Sequence, residues 1–493
     1  VQTHSWPLAG LIVLLLAVLA AASWHLLKPR LPIRTLAVLP FTVEGTKAPS
    51  TPDEIVLLGM TDSLISRLEG DLIVRPASSV LRYSTGDPVD PVAAGREQAV
   101  DAVLTGALQT SPSSATLRLN LIRVSDGLTL WQRTISSTSS NLPQLQPSVA
   151  QAVANELHHL GAIATPQPPA PATHTNETAY QLYLRGRYFW NRRTVDGLHK
   201  AADYFKQSIA ADPNYAPAYA GLADSYALLA SFSVEPGSAA NADARSAALS
   251  AIQLDPTLAE PHASLGMIYF FTDWNLAAAE HEFERSIQLN PNYATAHHWY
   301  ALDLAAMGRF PQAIYEIRLA QKLDPLSLII GTNVGWIEYL AHDYPAATAA
   351  LNKVLELDPT FVRARTRLGM IELATGNSAE AVTSFQSALS GDPANPDPYV
   401  EGLLGDAQAQ AGNAAAAERT LAELRSRASS HYVPPISRAL VLIGLKRSGD
   451  AMAALSQAVD DHSTSMVYAR VDPSLDAVRS SPEFQSLMAR MKM

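Results

Sequence analysis

NPNYATAHHWYALDLAAMGRFPQAIYEIRLAQKLDP, residues 290–325, opens and closes on the same mark, an Asn or Asp followed by proline. The mark recurs through the second half of the chain. Asp212-Pro213, Asp255-Pro256, Asn290-Pro291, Asp324-Pro325, Asp358-Pro359 and Asp392-Pro393 set their prolines 43, 35, 34, 34 and 34 residues apart. A fixed period of about 34 residues indicates a stacked array of helix-turn-helix units. The long first step reads as one unit plus an insertion around Ser231–Ser238, where SFSVEPGS interrupts the helical pattern.

Within the quoted unit, Ala296, Tyr300 and Ala301 fall on a first helix, Gly308 and Phe310 at its turn, and Ala313, Ile317 and Ala320 on a second helix. The next unit repeats this with Val334, Gly335, Tyr344, Ala347, Leu351 and Val354, and the one after with Leu368, Gly369, Gly376, Ala381, Phe385 and Ala388. Small residues let two helices approach closely and larger ones fill the gap between them. Proline then ends the second helix, because it disfavours helix in the residue before it and cannot continue the hydrogen-bond ladder. The pattern resembles the tetratricopeptide repeat. About eight repeats are expected over 178–460, the last two degenerate but with turns still marked by Gly412-Asn413 and Gly449-Asp450. Residues 461–493 are expected to form a helical cap.

Composition narrows the rest. A chain of 493 residues that is 47% hydrophobic and 17% charged is folded and has room for several domains. Its net charge of −10 argues against a general nucleic-acid surface, which needs clustered Lys and Arg. The absence of cysteine removes disulfides, thiol nucleophiles and cysteine metal sites, and leaves the redox compartment open.

Leu8–Leu27, LAGLIVLLLAVLAAASWHLL, is long and apolar enough to span a bilayer as a helix. Trp6 and Trp24 sit near its two edges, where indole rings prefer the interface. A cleaved signal peptide would use Ala20–Ala22, but VQTHSW offers no basic n-region. A retained single-pass anchor is the expectation. Lys28, Arg30 and Arg34 follow it, which by charge alone places the bulk of the chain in the cytoplasm. A start at Val1 leaves room for an upstream segment, and that would change the count.

Residues 34–160 read as a compact α/β unit. Arg34–Phe41 is a strand, Glu54–Gly70 a helix, DLIVRP a second strand, and Pro91–Val100 a short helix. Ala102–Gln109, Ala115–Val124 and Leu128–Ser136 are three more strands, the last pair joined at Asp126-Gly127, a hairpin signal. Leu145–Leu160 closes the unit as a helix. Residues 161–177, with prolines at 166, 168, 169 and 171, form an extended linker.

LAVLPF at 36–41, GMTDSLISRL at 59–68, DAVLTGAL at 101–108 and LRLNLIRVSDGLTLWQR at 117–133 resemble the amino-terminal domain of TolB and the FlgO-like proteins. The opening of the array at Ala179–Leu229 and the chain's carboxy-terminal stretches resemble a group of bacterial membrane proteins. In that group a cytoplasmic effector precedes one transmembrane helix, a TolB-like domain and tetratricopeptide repeats. The effector is most often a winged-helix domain of CadC type, less often a Ser/Thr kinase or nucleotide cyclase. The resemblance implies a mainly α fold, a repeat solenoid with an N-terminal transmembrane helix and a small α/β domain. It implies an inner-membrane location with the C-terminal domains in the periplasm. It also implies a sensory role in transcription regulation. An envelope assembly scaffold, or the non-catalytic tail of a kinase or cyclase, stays open.

Catalytic motifs are missing from the sequence: there is no glycine-rich phosphate loop, HExxH or GxSxG. No enzymatic activity and no cofactor are expected. His158-His159 and His297-His298 are adjacent pairs whose members point about 100° apart on a helix, which does not chelate one metal. Arg185, Arg187, Arg192 and Arg193 read as a solvated face or a partner contact, and Asp203, Asp224 and Glu260 as surface charges. One site can be argued, along the inner groove that a helix-pair solenoid lines with its first helices. The inner positions are Met267, Phe270 and Phe271, then His298 and Leu302, then Thr332, Trp336 and Tyr339, then Arg363, Thr366 and Met370. Aromatics and methionines with few charges suit a protein or peptide partner; the alternative is that some of them pack between helices or under the insertion at 231–238, and for Phe270 and Tyr339 the two readings stand equal. Trp336 is expected to be partly exposed in the groove. A homodimer is also possible, and no nucleic acid is expected to bind this segment.

Overall fold

The computed structural model describes residues 33–43, 52–68, 72–84, 89–111, 114–137, 145–163, 176–231, 241–391 and 396–491. The apolar stretch at 8–27, most of the proline-rich linker, nearly all of the insertion after Ser231, and Asp392-Pro393 lie outside the described residues. Among the described residues no helix is long and apolar enough to cross a membrane.

The N-terminal unit is a six-stranded sheet covered by helices. Its strands are β1 (Thr35–Val38), β2 (Thr42–Val43), β3 (Ile73–Val74), β4 (Ala102–Ser111), β5 (Ser114–Arg123) and β6 (Thr129–Ser137). The order is β3-β1-β4-β5-β6, with β2 pairing alongside β4. β1 is parallel to both neighbours, while β4, β5 and β6 form an antiparallel meander. Central parallel strands are covered on both faces and so read as continuous apolar runs. Leu36, Ala37 and Val38 in β1 are all buried. Gly127 takes the left-handed conformation that the β5–β6 turn requires, at φ +71°. Helices α1 (Pro52–Leu68), α2 (Ala77–Val80), α3 (Pro91–Glu97) and α4 (Leu145–His159) complete the unit.

Among the described residues sixteen helices then run in eight pairs: α5 (Glu177–Asn191) with α6 (Val195–Ala211), α7 (Ala216–Ser231) with α8 (Asn241–Leu254), and α9 (Glu260–Phe271) with α10 (Leu276–Leu289). Next come α11 (Ala294–Ala306) with α12 (Phe310–Leu323), α13 (Leu328–Leu340) with α14 (Tyr344–Leu357), and α15 (Val362–Ala374) with α16 (Ser378–Leu389). The last two are α17 (Pro398–Gln410) with α18 (Ala414–Arg427) and α19 (Pro435–Gly444) with α20 (Ser448–Asp460). Three of the second helices begin on side-chain caps of one kind: Asn275, Asp343 and Asn413 accept from the backbone N–H three residues on. Within a pair, small residues face large ones as the period requires. A Cβ on Gly335 would lie 2.7 Å from Leu351, so only glycine lets α13 sit this close to α14. Ala313, Ile317 and Ala320 are fully buried between α11 and α12.

The Asp-Pro marks work as local turns. The side chains of Asp212, Asp255, Asn290 and Asp358 each accept from the backbone N–H two residues on, at 2.8–3.1 Å. Asp324 is different. Its carboxylate leaves the turn and accepts from Ser78 and Ser79 of the α/β domain, at 3.2 and 2.5 Å.

That contact belongs to a broad docking surface. Arg75, itself buried, donates from Nη1 to the carbonyls of Lys322 and Leu323 at 2.9 Å each. Its other nitrogens donate to Gln98 and Ala99, at 2.9 and 3.0 Å. One guanidinium thereby satisfies two helix C-termini, those of α3 and α12, where carbonyls lack partners and the helix dipole is negative. At the other end of the surface α1 lies on α5. A Cβ on Gly59 would fall 2.6 Å from the Cβ of Leu184, so glycine permits the approach. Tyr180 and Leu184 join the core of the α/β domain.

Beyond Asp460 the chain makes two 3₁₀ turns, Thr464–Tyr468 and Pro473–Leu475, then α21 (Asp476–Arg479) and α22 (Pro482–Arg490). Helix α22 stacks on α20 as an end cap, held by Arg490 to Asp460 and to Ser456. The 3₁₀ turns do not. They fold back across the inner face of the array.

Candidate partner-binding groove

The inner face is built by equivalent positions of successive first helices. Met267, Leu302, Trp336 and Met370 each stand 11 residues after the proline of their turn, and Phe270 and Tyr339 stand 14 after theirs. A step of three residues is close to one helical turn, so the two rows are adjacent on one face.

None of these side chains is open to solvent. Met267, Phe270, Leu302, Tyr339 and Met370 are buried, and Trp336 is only 3% exposed. Phe271 is half-buried against Phe270, with ring centroids 4.6 Å apart. Thr332 and Thr366 are buried too, and their hydroxyls donate back to the carbonyls of Leu328 and Val362. Arg363 alone among the expected groove residues is exposed. The expectation of a partly exposed Trp336 is therefore corrected. Its indole stacks on Tyr339 at 5.3 Å, carries the Arg367 guanidinium 3.5 Å above its ring, and meets Tyr468 edge-on at 5.4 Å. Helical register placed it on the inner face but could not foresee what covers that face.

The two histidine pairs diverge as helix geometry dictates. His297 turns to Glu316 (Nδ1 to Oε2, 2.6 Å) and to the Pro291 carbonyl (2.9 Å). His298 accepts at Nε2 from the Asn333 amide at 2.6 Å. Burial, then nearby Arg193, pushes the His298 pKa down to about 3, so the ring is neutral and able to accept.

Further toward the N-terminus the groove becomes polar, against expectation. Asp224, read as a surface charge, is fully buried and accepts from Ser264. Burial raises its pKa to about 7, with the Ser264 hydroxyl and the guanidinium groups of Arg187 and Arg193 opposing. Arg187, read as part of a solvated or partner-facing cluster, pairs with Asp62 of α1 at 2.5 Å, with side-chain exposures of 12% and 6%. Arg193 lies 3.7 Å above the Trp190 ring. Both arginines contact groups within this chain, and Arg187 ties the array to the α/β domain. Sequence distance hides these pairs, since Asp62 and Arg187 are 125 residues apart. Arg367, Tyr399 and Tyr468 also belong to the groove and carry no signal that the repeat period alone would single out. Among the described residues no cluster of His, Asp or Glu suits a metal ion.

Comparison with known proteins gives each domain a relative. Residues 33–152 match the family described as HilA/YgeH-like transcriptional regulator, second domain, and residues 372–432 match the tetratricopeptide repeat. Transcriptional regulator HilA of Salmonella typhimurium is 27% identical over 158 residues, 32% of this chain and 28% of that protein. The chain thus spans little more than a quarter of the length of that relative. The Hsp70-Hsp90 organizing protein of Triticum aestivum is 33% identical over 88 residues, 18% of this chain and 15% of that protein. Among solved structures, the human IFIT1 dimer with PPP-AAAA has a TM-score of 0.48 at 16% identity, covering 72% of this chain and 86% of that one. The chain carries a transcriptional-regulator-like domain followed by tetratricopeptide repeats.

Proposed function

We propose that this chain is the sensory and protein-interaction portion of a transmembrane transcriptional regulator of CadC type. The observation that supports it is the order of units: a domain matching the second domain of HilA/YgeH-like regulators, followed by a repeat array with an aromatic inner groove. On this reading Leu8–Leu27 is a single membrane-crossing helix, and the domains after it lie outside the cytoplasm. The chain catalyses nothing, needs no cofactor and leaves DNA contact to another domain. A protein or peptide partner in the groove alters how the array holds the α/β domain, through Arg187–Asp62 and the Arg75–Asp324 surface. The α/β domain passes that change to the membrane helix.

Two measurements test this. Transcript profiles of the native host with and without the gene should differ, and the full-length gene should restore them; unchanged transcripts would sink the reading. A reporter fused after Met493 should be active outside the cytoplasm. Activity only inside would remove the membrane-crossing part of the proposal.

A further inference from the structure

The inner groove already contains a ligand-like segment, contributed by this chain. The turn Thr464–Tyr468 lies on α9 and α11, and the turn Pro473–Leu475 lies on α15 and α19. Tyr468 stands at the centre, with its ring 5.7 Å from Phe270 and 5.4 Å from Trp336, nearly perpendicular to both. Those two aromatics sit on helices two repeats apart. Between them α11 carries Ala305 and Ala306 at the register where α9 carries Phe270 and Phe271. The array thereby leaves ring-sized room, and Tyr468 occupies it. Its neighbours Met466, Val467 and Ala469 are fully buried. Four residues on, Asp472 is buried in a region whose cations are Arg367 and Arg479. At the entrance His462 stacks on Trp274 at 4.8 Å.

Two features separate this segment from an ordinary piece of core. It is made of single 3₁₀ turns, whose hydrogen bonds are poorer than those of the helices around it. The wall at its entrance is also incompletely paired: Trp274, stacked on His462, keeps its Nε1 buried without a hydrogen-bond partner. Native cores rarely leave such groups unpaired, whereas a surface that also receives another occupant has reason to.

We propose that Ser463–Leu475 is a built-in occupant of the partner groove. The partner is a peptide segment of the same chemistry, an aromatic ring flanked by apolar residues with a carboxylate about one turn further on, and it binds by displacing the occupant. The proposal rests on the groove reading above and adds the partner's chemistry and its gate. Apparent affinity is then the intrinsic affinity scaled by the fraction of molecules whose groove is open. Weakening the occupant must therefore strengthen binding in trans.

The test uses the full chain and a fluorescent peptide copying residues 463–479, read by anisotropy. Wild type should bind it weakly, and full-length Tyr468→Ala should bind it at least about tenfold more tightly. A peptide with its tyrosine and its first aspartate replaced by alanine should lose that gain. Equal affinity for wild type and variant, or no binding to a variant of unchanged circular dichroism, would overturn the proposal. Should Tyr468→Ala unfold, a protease site inserted between Asp461 and His462 serves instead. After cleavage the C-terminal fragment should exchange with labelled peptide while the array stays folded. A fragment that never exchanges, or whose release melts the array, makes the segment a fixed part of the core and ends the idea. Exchange without any effect of gene loss on host transcripts would spare the gated groove and refute the regulator reading; the converse would refute only the gate.

Discussion

Ser79 Oγ in the α/β domain donates to Asp324 Oδ1 in the array at 2.5 Å, across 245 residues of sequence. The aspartate that ends one repeat has been taken from its own turn to fix another domain. Removing it should cost far more than removing its equivalents. Asp324→Ala strands the buried hydroxyl of Ser79 and deprives Arg75 of a counter-charge, and an unsatisfied buried group costs about 1–3 kcal/mol. Asp358→Ala removes only a solvated turn contact, worth about 1 kcal/mol or less. Denaturant unfolding of the two variants side by side checks the difference, and equal losses would refute it.

The Asp62–Arg187 pair should behave as a buried ion pair. Arg187→Met alone leaves the Asp62 side chain enclosed without its partner, and breaking such a pair costs about 3–5 kcal/mol. Replacing both residues, Asp62→Leu with Arg187→Met, should recover much of that loss. A double-mutant cycle on urea unfolding reads the coupling; additivity of the two single changes would show that the pair contributes little.

Trp336→Ala should destabilise the array strongly. The indole touches Tyr339, Tyr468 and Arg367 and is nearly free of solvent, so truncation opens a cavity worth about 3–5 kcal/mol. Thermal unfolding followed by circular dichroism measures this. A melting temperature within a degree of wild type would mean that the inner face is not packed as described.

Asp406 should contribute a loss of stability as pH rises from about 4 to about 7. Burial raises its pKa from 3.8 to about 7, opposed only by the Gln410 amide that donates to it at 2.8 Å. The folded state holds a proton that the unfolded chain releases. This contribution is therefore full below the unfolded pKa and is lost as pH climbs through the folded one. Each tenfold tightening of the proton on folding contributes about 1.4 kcal/mol at most. Asp406→Asn keeps the acceptor for Gln410 and removes the titration. Its stability should depend less on pH over that window than wild type, as urea midpoints at several pH values would show; parallel curves would refute the assignment.

The mainly helical repeat array and the small sheet at the N-terminus were legible because both rest on local rules. The Asp-Pro period and the small-large alternation of residues such as Gly335 and Leu351 set helix pairs. Alternation and Asp126-Gly127 set the antiparallel meander. Inner-face positions followed from register, so Trp336 and Phe270 could be placed on one face. What covers that face was not legible, because Tyr468 comes from a stretch without repeat pattern and meets Trp336 across 132 residues of chain. The buried charges were misread for the same reason. Asp224 and Arg187 look like any helix-surface residues until the partners that enclose them arrive from the adjacent repeats and from the other domain.

A stacked repeat array is a spring, since each unit touches mainly its neighbours and small rotations add along the axis. The α/β domain is strapped to this spring at α5 through Asp62–Arg187, ahead of α11 through Asn292 to the Leu72 carbonyl, and at the end of α12 through Arg75 and Asp324. Between the straps the coils cannot stretch or unwind without tearing one of them. The coils after Asp324 are tied by the tail, whose turn Pro473–Leu475 touches α15 and α19 while Thr464–Tyr468 reaches back to α9 and α11. A change in the curvature of the array therefore has to move a strap or the tail.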